Sequence, residues 1–84
     1  MATVEERVIA ITARVLKMDP QRIKSTDSFA TDLGAESVQS IELVASFEEE
    51  FGIEMDEDAA LAVESVGAAA AFITQVCQEQ GGAL

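Results

Sequence analysis

Apolar residues recur along this 84-residue chain at helical spacing, and no segment shows the β-branched alternation of a strand. Val4, Val8, Ile11 and Val15 stand at i, i+4, i+7 and i+11, which is one face of a helix ending near Lys17. Thr3-x-x-Glu6 is a capping-box pattern at its start. Asp19-Pro20 stops this helix, because proline lacks an amide proton and biases the residue before it away from the helical region; the pair opens a short turn to Ile23. A connection follows from about Met18 to Ala35, longer than most links between helices, with Ile23, Phe29 and Leu33 as its apolar anchors.

The second helix is predicted over 37–51. At roughly 100° per residue, Leu43, Val44, Phe47 and Phe51 fall within about 100° of arc with Ser40 among them, and this is the buried stripe. Val38, Ile41 and Ala45 form a second apolar strip outside it, flanked by Glu48 on one side and by Glu42 and Glu49 on the other. A helix that only packed against a core would not need that strip. Glu50 points away from it and reads as a solvated charge. Gly52 ends the helix with positive φ. Asp56 to Leu61 is a short third helix whose first-turn carboxylates suit the positive end of its dipole. Those carboxylates lack the Asp-x-Asp-x-Asp-Gly spacing of an EF-hand, so no metal site is assigned. Ser65 caps a last helix with Val66, Ala69, Ala70, Ile73, Val76 and Cys77 facing in and Phe72 at the margin. Residues 1–2 and the tail 78–84, which contains Gly81-Gly82, are expected to fray. The fold class that follows is all-α: an antiparallel helical bundle of three main helices plus one short helix, a single domain over residues 1–84.

Charge narrows the partners. There are 5 Lys and Arg against 16 Asp and Glu, a net charge of -11, and all five cations (Arg7, Arg14, Lys17, Arg22, Lys24) lie in the first 24 positions. Thirteen carboxylates and no basic residue follow Lys24. Such a field repels nucleic acid and anionic membranes and attracts basic protein surfaces. The chain has no histidine, the usual proton shuttle and imidazole ligand at neutral pH, so catalysis by this chain alone is not expected. The lone Cys77 cannot form an internal disulfide and reads as core. Neither a signal-peptide start nor an apolar run of membrane-spanning length is found, and the chain is expected to be cytoplasmic and monomeric.

The chemistry concentrates where Leu33-Gly34-Ala35-Glu36 opens into Ser37-Val38-Gln39-Ser40-Ile41-Glu42-Leu43-Val44. A serine at a helix start is ordinarily a cap. Here an anion esterified to Ser37 would also sit against the free amides and positive dipole end of the second helix. The setting, Phe29-x-x-Asp32-Leu33-Gly34-Ala35 before it and Phe47-Glu48-Glu49-Glu50-Phe51-Gly52 behind it, resembles the free-standing acyl carrier proteins over nearly the whole chain.

That resemblance implies 4'-phosphopantetheine, delivered from coenzyme A onto Ser37 with Glu36 and Val38 flanking it, and a thiol that holds acyl intermediates as thioesters for fatty-acid or related lipid or polyketide synthesis. It implies docking of partners on Val38, Ile41, Glu42, Ala45, Glu48 and Glu49: a pantetheinyl transferase (holo-acyl-carrier-protein synthase) and basic surfaces of ketosynthase, acyltransferase, reductase or acyl-ligase enzymes. It also implies an acyl chain sheltered between the second, third and fourth helices, where Ala59, Ala60, Ala69 and Ala70 would leave room. The family has Asp-Ser-Leu where this chain has Glu36-Ser37-Val38, and the two departures point to a specialised paralogue. A peptidyl or D-alanyl carrier is the alternative within the same chemistry; an acidic adaptor without a prosthetic group is the alternative outside it.

Overall fold

The computed structural model describes residues 3–82. Among the described residues there are four α-helices, α1 (Val4–Leu16), α2 (Ser37–Phe51), α3 (Glu57–Leu61) and α4 (Val66–Gln80), with a 3-10 turn at Pro20–Arg22. The capping box at Thr3 is closed in both directions, Thr3 Oγ1 accepting from Glu6 N–H at 3.1 Å and Glu6 Oε1 accepting from Thr3 N–H at 3.0 Å. Hydrogen bonding to the Thr3 backbone, and secondarily to the Thr3 side chain, holds the Glu6 carboxyl below the usual carboxylate range. α1 ends before the proline: Lys17 takes a left-handed conformation (φ 57°) and its N–H, like that of Met18, returns to the carbonyl of Ala13.

One core draws on every main helix and on the long connection. Val8 and Ile11 of α1, Leu43, Phe47 and Phe51 of α2, and Val66, Ala69, Ile73 and Cys77 of α4 are buried together with Ile23 and Phe29 of the connection. Each such aliphatic or aromatic side chain stabilises the fold by about 1.5–3 kcal/mol when fully withdrawn from water. Val4, Val15, Val44, Ala70 and Val76, expected on inward faces, are only partly buried and stand at the edge of the core. Thr12 is fully buried without cost, its hydroxyl donating to Val8 O at 2.7 Å.

Helix directions follow from contacts between ends. Arg7, near the start of α1, donates from Nε to Glu50 Oε2 at 3.0 Å and lies 4.2 Å from the centre of the Phe51 ring, so α1 runs antiparallel to α2. Glu50 therefore does more than solvate the surface: it takes the cation that covers the end of the core. The N–H of Val66 bonds to Asp27 O at 3.0 Å at one end of α4, while Gln80 reaches the residues just after α2 at the other. α4 thus runs parallel to α2, and α3 with its flanking segments carries the chain back between them.

The tail departs from expectation. α4 continues to Gln80 instead of fraying from 78, because Gln80 Nε2 donates to Glu54 O at 2.7 Å and Gln80 Oε1 accepts from Glu54 N–H at 2.8 Å. Gly82 then passes so close to the core that a Cβ there would lie 2.5 Å from Ile53 Cγ2 and 2.9 Å from Phe51 O. The remaining positions expected to fray, 1–2 and 83–84, lie outside the described residues.

Among the described residues the only ion pair is Arg7 with Glu50. The remaining carboxylates after Lys24 repel one another more in the folded chain than in the expanded one. Raising NaCl from about 0.02 M to about 0.5 M shortens the Debye length from roughly 20 Å to roughly 4 Å, and the melting temperature should rise with it. A melting temperature that stays constant across that range would contradict this account of the charge.

Candidate functional site

The start of α2 is built by the loop before it. Ser28 O accepts from the N–H groups of both Asp32 and Leu33 at 3.0 Å, and Asp32 Oδ2 accepts from Ser28 N–H at 2.7 Å. Ala35 N–H bonds to Phe29 O at 2.8 Å, and Gly34 between them takes φ 70°, a conformation that favours glycine. The loop is tied in turn to the start of α4 by Phe29 N–H to Glu64 O at 2.9 Å and by an isolated antiparallel bridge between Ser28 and Ser65.

This frame delivers Glu36 in an extended conformation (φ -87°, ψ 168°) as the N-cap of α2. The helix is capped firmly from one side only. Gln39 Oε1 accepts from Glu36 N–H at 2.9 Å, whereas the Glu36 carboxylate, turned toward the Gln39 amide, makes no cap hydrogen bond of full geometry. Gln39 is a site residue the sequence reading missed; a glutamine three residues after the cap is its signal. Ser37 is the first residue of α2 and is exposed, and among the described residues its hydroxyl makes no hydrogen bond. Its position gives it the free first-turn amides of a 15-residue helix as neighbours.

The outer strip of α2 is present as an exposed surface. Val38 is 67% exposed and Ile41 52%, with Ala45, Glu42 and Glu49 also exposed. Glu48 is different: it is half-buried, and its Oε2 accepts from Met55 N–H at 2.9 Å, which fixes the segment between α2 and α3. Asp56 similarly has a structural duty, its Oδ1 accepting from Asp58 N–H at 3.0 Å to cap α3. Among the described residues no three acidic, cysteine or histidine side chains gather as a metal site. Cys77 is buried, and desolvation pushes its thiol above the usual range, with the Arg7 charge opposing more weakly. A protonated, enclosed thiol is a poor nucleophile.

On the inner side of α2 lies a cavity of about 340 Å³ between α2, α3 and α4. Ser40, Leu43 and Phe47 line it from α2, Ala60 and Leu61 from α3, Ala69 and Phe72 from α4. Ala60 and Ala69 make room as expected, while Ala59 and Ala70 do not border it. Its fourth wall, Ser28 to Thr31 of the long connection, was not foreseen from the sequence. The volume is at the low end of the range for small-molecule sites, about 300–1,000 Å³.

The family model described as the phosphopantetheine attachment site matches residues 6–73. An acyl carrier protein of Caulobacter vibrioides (strain NA1000 / CB15N) is 45% identical over 75 residues, spanning 89% of this chain and 96% of that protein. One from Phenylobacterium zucineum (strain HLK1) is 46% identical over 75 residues, 89% of this chain and 95% of its own. Among solved structures, the Mycobacterium tuberculosis protein Rv0033, described as a candidate acyl carrier protein, superposes with a TM-score of 0.76 at 24% identity over 93% of this chain and 99% of that one. The apo doublet acyl carrier protein from prodigiosin biosynthesis gives a TM-score of 0.76 at 18% identity over 86% of this chain and 35% of its own. These two likenesses bear on the fold alone.

The cap at Glu36 yields a prediction. A shorter carboxylate returns to the backbone more easily, so Glu36→Asp should stabilise the unmodified protein by about 0.5–1 kcal/mol, measured by denaturant or thermal unfolding. The same variant should be modified faster by a general pantetheinyl transferase. Neither gain appearing would make Glu36 a neutral substitute for aspartate.

Proposed function

The chain belongs to the acyl carrier proteins of the phosphopantetheine-attachment family, and we propose that Ser37 is the residue that bears its prosthetic group. Members of this family are carriers, not enzymes, and their cofactor is 4'-phosphopantetheine. The observation that carries the assignment is the exposed, unengaged Ser37 hydroxyl at the positive end of α2, inside the matched span 6–73. Its oxygen would displace adenosine 3',5'-bisphosphate from coenzyme A, forming a phosphodiester and passing its proton to the transferase. The first-turn amides of α2 would then face the new anion. The arm's terminal thiol holds acyl groups as thioesters.

We assign to this chain a place as a single cytoplasmic carrier domain, monomeric at a net charge of -11, in fatty-acid or related specialised lipid or polyketide synthesis. The cavity behind α2 supports an aliphatic cargo. The exposed apolar strip with an acidic rim supports enzymes whose docking surfaces are basic, the apolar centre supplying contact and the rim supplying steering. Glu42 and Glu49 are the rim charges without a structural hydrogen bond, whereas Glu48 holds Met55.

Incubation with coenzyme A, magnesium and a pantetheinyl transferase should add one phosphopantetheine by intact mass, and Ser37→Ala should abolish the addition. Persistent modification in that variant would move the attachment elsewhere. Glu42→Lys and Glu49→Lys should slow association with a basic ketosynthase or transferase by stopped-flow, more at low salt than at high, while circular dichroism is unchanged. An equal loss at every salt concentration would remove steering as the role of these charges.

A further inference from the structure

A second cavity, of about 240 Å³, lies on the outer side of α2, bordered by Ile41, Ala45, Glu48 and Glu57. Two residues border both this cavity and the inner one: Val44 and Met55. Those two side chains are therefore the partition between the cargo space and a hollow that opens on the strip of α2 offered to partners. They differ in what they can do. Val44 is β-branched on a helix, which leaves it one strongly preferred rotamer. Met55 is unbranched, with rotatable bonds along its length, and adapts to whatever lies beside it.

The backbone beneath Met55 does not share that freedom. Its N–H is held by Glu48 Oε2 at 2.9 Å, and Ile53 two residues earlier is buried in the core with its N–H on Glu48 O at 3.2 Å. A change of Met55 rotamer therefore leaves the anchored backbone at Ile53 and Met55 in place. We propose that Met55 is a gate that sets cargo length: the end of an acyl chain too long for the inner cavity displaces Met55 and occupies the outer cavity beneath Ile41 and Ala45. This inference rests on the carrier reading above. Its consequence is that a partner docked on α2 would touch the end of a long chain but not of a short one, so chain length would be legible at the docking face while the thioester stayed sheltered.

The test uses the full chain loaded by a pantetheinyl transferase and magnesium from acyl-coenzyme A of increasing length, butanoyl to tetradecanoyl, followed by amide NMR shifts. Amides beside the inner cavity, Ala60 and Ala69, should shift with short chains. Those of Ile41, Ala45 and Glu57 should shift further only beyond a threshold length. Met55→Ala should move that threshold to shorter chains, and Met55→Phe should abolish the second set of shifts while leaving the first. If Met55→Phe does not fold by circular dichroism, the wild-type threshold and its movement in Met55→Ala decide the matter. The gate is overturned if Ile41, Ala45 and Glu57 respond equally at every length, never respond, or keep the same threshold in Met55→Ala. Absence of any added mass on the wild-type protein would instead overturn the carrier reading beneath it, and is seen before any spectrum is recorded.

Discussion

The grip on Phe29 is the constraint on which the functional end depends. A connection of this length has backbone groups that must all find partners, and here its middle is fastened on both sides. The Phe29 ring is buried in the core, its N–H bonds to Glu64 before α4, and its carbonyl receives Ala35 before α2. One residue therefore sets where α2 begins, where α4 begins, and the wall that closes the inner cavity between them. Asp32 and Ser28 tie the same loop from within, a few residues before Ser37.

Electrostatics pulls the other way. Beyond Lys24 the chain is held together against its own charge, with the guanidinium of Arg7 alone paired to a carboxylate among the described residues. An exposed pair of this kind contributes little by itself, about 0–1 kcal/mol. Its place matters more, because Arg7 also covers the face of Phe51 and so closes the end of the core where α1, α2 and α4 converge. The uncompensated acids of α2 stay free at the other surface. A fold that neutralised them internally would be more stable and would have nothing left with which to steer a basic partner.

The local part of this architecture was legible in the sequence. Thr3-x-x-Glu6, Ser65, Asp56 and Gly52 each announce a helix boundary through a contact within a few residues, and the 3.6-residue period of α2 separates its core stripe from its outer strip. What was not legible depends on partners distant in the chain. Gln80 is an unremarkable tail residue until Glu54, 26 positions earlier, is beside it. Glu50 reads as solvated until Arg7, 43 positions away, reaches it. Glu48 reads as a rim charge flanking the outer strip across from Glu42 and Glu49, and only the path of the chain after Gly52 brings the Met55 amide to it. The serine at the helix start was legible as a candidate; its unengaged hydroxyl was not.

α2 is one rigid element with two working faces, and its period decides how they communicate. Ser40 and Leu43 border the inner cavity while Ile41 and Ala45 border the outer one, so the two cavities lie on opposite sides of the same turns. A rigid helix transmits little between its faces by bending, since packed elements have discrete arrangements instead of continuous ones. Under the gate proposed above, information about cargo would then travel through a part that can move. The helix itself offers only the stiff Val44 at the boundary, and the flexible side chain there comes from the following segment, whose backbone is clamped by a carboxylate of α2 itself. In the proposed gate, the glutamate beside the exposed apolar strip thus holds in place the backbone of the residue that responds to the cargo.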